Sequence, residues 1–252
     1  MPNIDGLLLS AAFACVALFY SAVGQAGGTG YVAIMGLAGF EPSTIKTTAL
    51  SLNILVAAIG CVRFYSAGLL TWRSCYPFGV LGAPFSLLGG AVHLPSEIYQ
   101  PIVGALLLIA AYQMLRTSKG AAQRDQAAST FPPFLPSLLV GGLIGFGSGI
   151  TGVGGGIFLA PLILMLGWAQ TRQTAAIAAA FNLLNSTAAL VGAWATTATV
   201  PVELPMWLAG VAVGAFIGSW AGAKYLRSET LRILLAVLLL AAGTRMVASP
   251  IL

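Results

Sequence analysis

Three asparagines stand inside otherwise apolar stretches of this chain and are the first candidates for chemistry. Asn53 lies in one stretch, and Asn182 and Asn185 lie about one helical turn apart in another. An amide side chain both donates and accepts hydrogen bonds, and burying it without a partner is costly. These residues therefore either bind a solute or form hydrogen bonds between helices.

Two glycine clusters, GQAGG at residues 24–28 and GVGGG at residues 152–156, each precede a short apolar stretch. Glycine lets a chain leave helical geometry, and a helix that restarts there directs unpaired N–H groups and its positive dipole end into the gap. That arrangement suits an anion, although glycine clusters also serve close packing of membrane helices. The predicted solute contacts are Gln25, Gly27, Gly28, Thr29, Asn53, Gly154, Gly155, Gly156, Asn182 and Asn185.

Other chemistries find little support in the sequence. Ser148 would need a base to act as a nucleophile, and the chain has one histidine, His93. The cysteines at 15, 61 and 75 form no CxxC pair, and no phosphate-binding loop of the GxxxxGK type is present. The sequence therefore predicts no catalytic residue, no metal site and no cofactor.

The composition shows what must position these residues. Of 252 residues, 58% are hydrophobic and 7% are charged, whereas about a quarter are charged in an ordinary soluble domain. Residues 6–40 and 126–171 contain no Asp, Glu, Lys or Arg, and each stretch exceeds the roughly 20 residues that one bilayer crossing needs. The chain is predicted to be an all-α polytopic membrane protein.

Ten apolar pieces are separated by polar, Gly or Pro positions. Five belong to a first transmembrane repeat at residues 1–116 and five to a second at 134–252, with a polar linker at 117–133. In each set the second piece is short, and a helix of 13–15 residues reaches only about 20 Å. The pieces are residues 6–23, 28–40, 43–66, 74–93, 97–115, 134–150, 154–168, 171–196, 204–223 and 229–249.

The two sets match at individual positions as well as in hydropathy. Gly39 aligns with Gly167, and Asn53 aligns with Asn182 after a shift of one residue. Repetition in conserved order indicates two related structural units. Each repeat is therefore predicted to hold about five helical segments, with a short or broken helix after the glycine-rich break.

Loop charges predict that the two repeats are inverted. Arg63 and Arg73 flank the loop between the third and fourth pieces, whereas the corresponding second-half loop holds only Glu203. Because Lys and Arg accumulate on cytoplasmic loops, these two loops are expected on opposite sides of the membrane, with both termini outside. Broken helices at corresponding positions of inverted repeats mark the substrate site of many transporters.

Two charged residues bear on the solute and its driving force. Arg63 either counters the charge of an anion or extends to the membrane interface. The acidic residues lie at the ends of apolar pieces or between them, and Glu41 is the one placed to support proton coupling. Transport is expected to be driven by the solute gradient or by the membrane potential.

The duplicated pattern of a glycine cluster, an apolar run and an asparagine-bearing helix resembles the TauE/SafE sulfite exporter family over nearly the whole chain. The run GVGGGIFLAPL at residues 152–162 is the most specific part, supported by FNLLNS at 181–186 and RFY at 63–65. The resemblance implies transport of sulfite, sulfonates or related anions, commonly out of the bacterial cytoplasm. Ile177 and Ala178 stand where the family often has a Thr-Ser pair, so hydroxyl contacts are expected mainly from the first half.

The leading hypothesis is a multi-pass permease of the bacterial cytoplasmic membrane that exports a small anion through a site between the glycine breaks. A permease for a neutral or cationic solute is the nearest alternative, followed by an intramembrane enzyme or an assembly subunit. The predicted partners are a small anionic substrate and the lipid bilayer, with no nucleic acid. Small residues such as Gly210, Gly214 and Gly218, at four-residue spacing, serve either packing within the chain or a homodimer.

Overall fold

The computed structural model describes residues 6–22, 24–116, 132–196, 200–222 and 228–248, and these residues form ten α-helices. The all-α prediction is confirmed for them, while most of the predicted linker lies outside the described residues. The helices are α1 (Gly6–Ala22), α2 (Gly28–Leu37), α3 (Pro42–Ser66), α4 (Trp72–Ala91), α5 (Ser96–Arg116), α6 (Phe134–Thr151), α7 (Gly156–Met165), α8 (Thr171–Trp194), α9 (Leu204–Gly222) and α10 (Ser228–Ala248).

Four helices, α3, α5, α6 and α8, are long and apolar enough to cross a membrane. The most apolar window is 61% buried inside the protein in α3 and in α8, against 39% in α5 and in α6. Large apolar side chains such as Leu143 and Phe216 are exposed on the outer helices, as suits contact with lipid. The helices α3 and α8 therefore form the centre of a multi-pass membrane protein.

Helix packing pairs the two halves of the chain reciprocally. Helix α3 packs against α8, α1 packs against α9, and α4 packs against α6. If the halves were exchanged, so that α1 became α6 and α4 became α9, the same pairs would result. This pattern fits two related halves, and the inversion of one half relative to the other stays a prediction.

Small residues let the paired helices approach closely. A Cβ at Gly214 or Gly218 of α9 would overlap the backbone carbonyl of Ala14 or Leu18 in α1. Close approach of this kind is a common way for membrane helices to associate, because lipid gives them little hydrophobic reason to pair. These glycines are therefore used for packing within the chain and are not available to a dimer interface.

The two short helices are shorter than the sequence predicts, and glycine conformation explains both differences. Helix α2 ends at Leu37 rather than near residue 40, and Gly39 beyond it has a φ of 75°. Helix α7 begins at Gly156 rather than at residue 154, because Gly154 has a left-handed φ of 86°. Each helix has ten residues and spans about 15 Å, which is half of the bilayer core.

Candidate functional site

The two glycine breaks share left-handed backbone at their first and fourth positions but differ at the third, where Gly154 has a φ of 86° and the matching Ala26 has no positive φ. The first break has φ angles of 78° at Gly24 and 93° at Gly27, and the second has 79° at Gly152 and 78° at Gly155. L side chains rarely adopt these left-handed angles, which explains the glycines. Gly27 and Gly155 are the N-cap residues of α2 and α7.

The breaks lie against each other at the centre of the protein. A Cβ on Gly28 would overlap the carbonyl group of Val153 in the other break. A Cβ on Gly154 would overlap the side-chain amide of Asn53 and would come within 2.9 Å of Oδ1 of Asn182. The structure therefore brings five of the predicted contacts together: Gly28, Asn53, Gly154, Gly156 and Asn182.

The two matched asparagines make different hydrogen bonds. The backbone N–H of Gly156 donates to Oδ1 of Asn182 over 2.8 Å, which joins the second break to α8. The side chain of Asn53 instead donates from Nδ2 to the hydroxyl of Ser186 over 2.8 Å, which joins α3 to α8. Asn53 is fully buried, and its Oδ1 accepts no hydrogen bond.

Asn53 can also present a donor to the first break. Its Oδ1 faces Gly28, lying 3.2 Å from the position that a Cβ there would occupy. The hydroxyl of Ser186 can donate or accept, so a half-turn of the Asn53 amide would preserve the bond to α8 and direct Nδ2 toward Gly28. The Asn53 side chain can therefore offer the first break either its acceptor oxygen or, after the half-turn, its donor nitrogen.

The first turns of the short helices offer further donors. In α2 the first helical bond is donated by Gly30 to the carbonyl of Gly27, so the N–H groups of Gly28 and Thr29 precede the helical hydrogen bonding. In α7 the corresponding first bond is donated by Phe158, which leaves the N–H of Ile157 in the same position. Unpaired amides and two positive dipole ends are properties that bind anions at helix starts.

Two predicted contacts point their side chains elsewhere. The hydroxyl of Thr29 lies 2.6 Å from the hydroxyl of Tyr20 in α1. Asn185 is fully buried against α4, with Oδ1 3.1 Å from the position that a Cβ on Gly82 would take. Both residues lie near the centre of the protein, but their side chains do not contact Gly28 or Asn53.

A cavity of about 430 Å³ connects the first break with one end of the protein. We call it the arginine cavity, because exposed Arg63 of α3 and exposed Arg172 of α8 line it. Gln25 of the first break lines it too, and also lines an adjacent cavity of about 70 Å³ together with Ile157. Gln25 and Arg63 thus lie on one route to the breaks, and Gln25 Oε1 is buried without a hydrogen-bond partner.

Arg172 was not predicted as a site residue. The sequence places it at the start of the apolar piece 171–196, where it matches Lys46 of the first half and does not discriminate between orientations. Only the packing of α8 against α3 places it on the same cavity as Arg63. No spacing rule links two residues on different repeats, so the sequence offered no signal for the pair.

A second cavity, of about 160 Å³, lies at the other end of α3. We call it the lysine cavity, because the buried Lys46 lines it together with Glu41, His93 and Tyr99. Lys46 and Arg63 are seventeen residues apart on α3, and at ~1.5 Å per residue they are separated by roughly 25 Å. The two cavities therefore lie at opposite ends of the central helix pair, with the glycine breaks between them.

Comparison with known proteins gives a consistent result. The profile of the family described as "Sulfite exporter TauE/SafE" matches residues 9–246. A "Probable membrane transporter protein y4hK" from Sinorhizobium fredii is 48% identical over 244 residues, covering 97% of this chain and 99% of the relative. A "Probable membrane transporter protein ORF9" from a Sinorhizobium species is 25% identical over 258 residues, covering 98% and 94%. No solved structure matches the chain.

Proposed function

The chain belongs to the TauE/SafE sulfite exporter family, and from that premise we propose that it exports a small anion, sulfite or an organosulfonate, across the bacterial cytoplasmic membrane. Membrane transport follows from the family and from two relatives named as membrane transporters. The family name supports sulfite as the substrate class. The predicted orientation, with Arg63 at the cytoplasmic side, supports export.

The observation that carries the anion proposal is the meeting of the two glycine breaks. Gly28 and Val153 bring the starts of α2 and α7 together, so that both positive helix ends face the centre. Sulfite and sulfonate carry several oxygen acceptors, which the amides of Gly28, Thr29 and Ile157 can satisfy. The Asn53 amide supplies a further donor when its nitrogen faces the break.

The arginine cavity supports an anion over a neutral or cationic solute. Arg63 and Arg172 are its charged residues, and its described lining contains no carboxylate. A mouth lined by one sign of charge raises the local concentration of the opposite ion. A cationic solute would be repelled there, and a neutral one would gain nothing from the two arginines.

The proposed driving force is the solute gradient or the membrane potential. Glu41, the acidic residue considered for proton coupling, is exposed at the N-cap of α3 rather than enclosed between helices. Proton-coupled carriers usually keep their titrating group within the membrane. Dissipating the proton gradient at a fixed membrane potential is therefore expected to leave the flux unchanged.

Flux into proteoliposomes tests the proposed function. Sulfite flux is expected to depend on the protein and to fall when methanesulfonate competes. Gly155→Leu should abolish it, because φ is 78° and the added side chain would meet Ile144 and Phe181. Gly167→Leu is the matched control, since its φ is 64° but nothing lies within 4 Å of an added Cβ.

Each other outcome has a defined meaning. Flux that ignores anionic competitors would favour a permease for a neutral or cationic solute. A folded protein that moves neither sulfite nor methanesulfonate would contradict the proposal and favour an enzyme or an assembly subunit. If both leucine variants unfold, the loss of flux in Gly155→Leu comes from the left-handed φ and not from the position of Gly155 at the site.

A further inference from the structure

Lys46 is a buried cation that the proposed site does not use. It lies near the start of α3 and is 5% exposed. Its Nζ donates to the backbone carbonyls of Gly90 and Val92, each over 2.7 Å, and to that of Gly89 over 3.4 Å. A buried charged side chain is costly unless hydrogen bonds or an opposite charge compensate for its lost hydration.

The last turn of α4 explains how Lys46 is tolerated. The carbonyl of Gly90 belongs to the helix end, where the last carbonyls of a helix have no N–H partner within it, and that of Gly89 accepts the N–H of the C-cap residue Val92 over 3.2 Å. The negative dipole end of α4 also favours a cation. Within the described part of the chain, no carboxylate forms an ion pair with Lys46, so all of its partners are neutral.

Lys46 lies close to the glycine breaks through which the anion is proposed to pass. It lies seven residues before Asn53 on α3, which places both on the same helical face about 10 Å apart. A Cβ added to Gly152 would lie 2.9 Å from Cα of Lys46, so the lysine backbone borders the second break. Lys46 also lines the lysine cavity, which is large enough for a small anion.

We propose that Lys46 is a second anion-binding residue, at the end of the route opposite Arg63 and Arg172. The inference rests on the proposed anion transport. When an anion leaves the glycine breaks, Nζ of Lys46 gives up its hydrogen bonds to the carbonyls of Gly90 and Val92 and binds the anion instead. Hydrogen bonds between charged groups are stronger than those from an ammonium to a neutral carbonyl, so the exchange is favourable. When the anion leaves, Lys46 returns to the end of α4.

The lysine cavity is also lined by a carboxylate, whose negative charge opposes anion binding. Glu41 is exposed on its lining and forms no ion pair with Lys46 in the described structure. Its carboxylate repels an anion that reaches Lys46. Removing the two charges separately should therefore change anion affinity in opposite directions at this cavity.

Sided transport measurements test the role of Lys46. The half-saturating sulfite concentration is measured in right-side-out and in everted membrane vesicles, with vesicles that lack the protein as baseline. Lys46→Met is expected to raise it about tenfold in right-side-out vesicles, the orientation that exposes the lysine cavity on the predicted topology. Lys46→Arg, which keeps the charge, should restore most of the affinity.

Arg245→Gln is the matched control, because Arg245 also donates to a helix-end carbonyl, that of Leu37, but lines neither cavity. It should leave both vesicle orientations unchanged. Glu41→Gln is the second variant, and because Glu41 is exposed it should fold normally. It is expected to lower the half-saturating concentration about threefold, again in one orientation only.

The outcomes separate this inference from the proposed function. If the unmodified protein moves neither sulfite nor methanesulfonate, the proposed function fails. If it moves them and Lys46→Met changes both orientations equally, Lys46 holds α4 in place and binds no anion. Should Lys46→Met fail to fold, Glu41→Gln decides, and an unchanged half-saturating concentration would overturn the role of this cavity.

Discussion

The two glycine breaks share left-handed glycines at their first and fourth positions but differ in their hydrogen bonds. In the second break, the N–H of Gly156 is bonded to Asn182. In the first, Asn53 bonds to Ser186 instead, and its Oδ1 remains without a donor beside Gly28. The second break is therefore hydrogen-bonded to its matched asparagine, whereas the asparagine beside the first break has an acceptor oxygen without a partner.

The side chains within the breaks show the same difference. Gln25 stands in the first break where Val153 stands in the second, and Gln25 reaches the arginine cavity. Val153 supplies a carbonyl against which Gly28 packs. The duplicated fold thus repeats the outer glycines of the break, while the side chains and their partners differ. We infer that the second break supports the site and that the first contributes most of its solute contacts.

The largest effect is expected at Gly154, because the second break must keep its shape. Gly154→Ala puts a side chain at a φ of 86° and against the Asn53 amide. We expect loss of sulfite flux and a destabilisation of about 3 kcal/mol, measured by thermal unfolding in detergent. Ala26→Gly, at the matching position of the first break, should retain flux. A fully active Gly154→Ala would show that transport does not need the close approach of the second break to Asn53.

Substitutions at Asn53 and Asn182 should distinguish loss of solute affinity from loss of protein stability. Asn53→Ala is expected to raise the half-saturating sulfite concentration about tenfold, because a donor to the solute is lost. Asn182→Ala should instead lower the unfolding temperature, since the N–H of Gly156 loses its side-chain acceptor, at a cost of about 1–3 kcal/mol, and keeps only the carbonyl of Gly154 at 3.1 Å. Its half-saturating concentration should stay close to that of the unmodified protein. Equal losses of affinity in both variants would contradict the division between the breaks.

A moderate effect is expected at the arginine cavity. Arg63→Gln with Arg172→Gln should raise the half-saturating concentration severalfold at the predicted cytoplasmic face, and the difference should shrink at high salt as screening increases. Sulfite flux into everted vesicles at two ionic strengths measures this. A salt-independent difference would show that the arginines act through structure rather than through attraction.

The smallest effect is expected at the distal ends of α2 and α7. Gly39 and Gly167 have φ angles of 75° and 64°, and nothing lies within 4 Å of an added Cβ at either. Alanine at either position should cost about 1 kcal/mol through backbone conformation alone. Thermal unfolding should show similar losses for both, with unchanged flux per folded protein. Unequal losses would mean that the two halves differ beyond their breaks.

Much of the fold could be predicted from the sequence, because its signals are local. Apolar runs and their interruptions gave ten segments close to the ten helices of the described residues, and the glycine clusters gave the start of α2 and, within two residues, that of α7. The ends of those helices were placed too late, since hydropathy does not show that Gly39 leaves helical geometry. Local patterns therefore locate helices better than they locate their ends.

The candidate site depends on contacts between the halves, and there the sequence was less informative. The bond from Asn53 to Ser186 and the shared cavity of Arg63 and Arg172 each join residues from different repeats. Lys46 was not predicted as a site residue, because its partners on α4 are backbone carbonyls and no side-chain pattern in the sequence indicates them. Backbone acceptors at a helix end are available whatever the side chains are, so only the packed structure identifies them.

Locating a bound anion would test the central claim most directly. Selenite, a heavier analogue of sulfite, gives an anomalous X-ray signal, and a crystal structure of the complex at saturating selenite would show its position. We expect a peak between the start of α2 at Gly28 and the start of α7 at Gly156, within hydrogen-bond distance of Asn53. Peaks confined to Arg63 and Arg172, with none at the breaks, would contradict it.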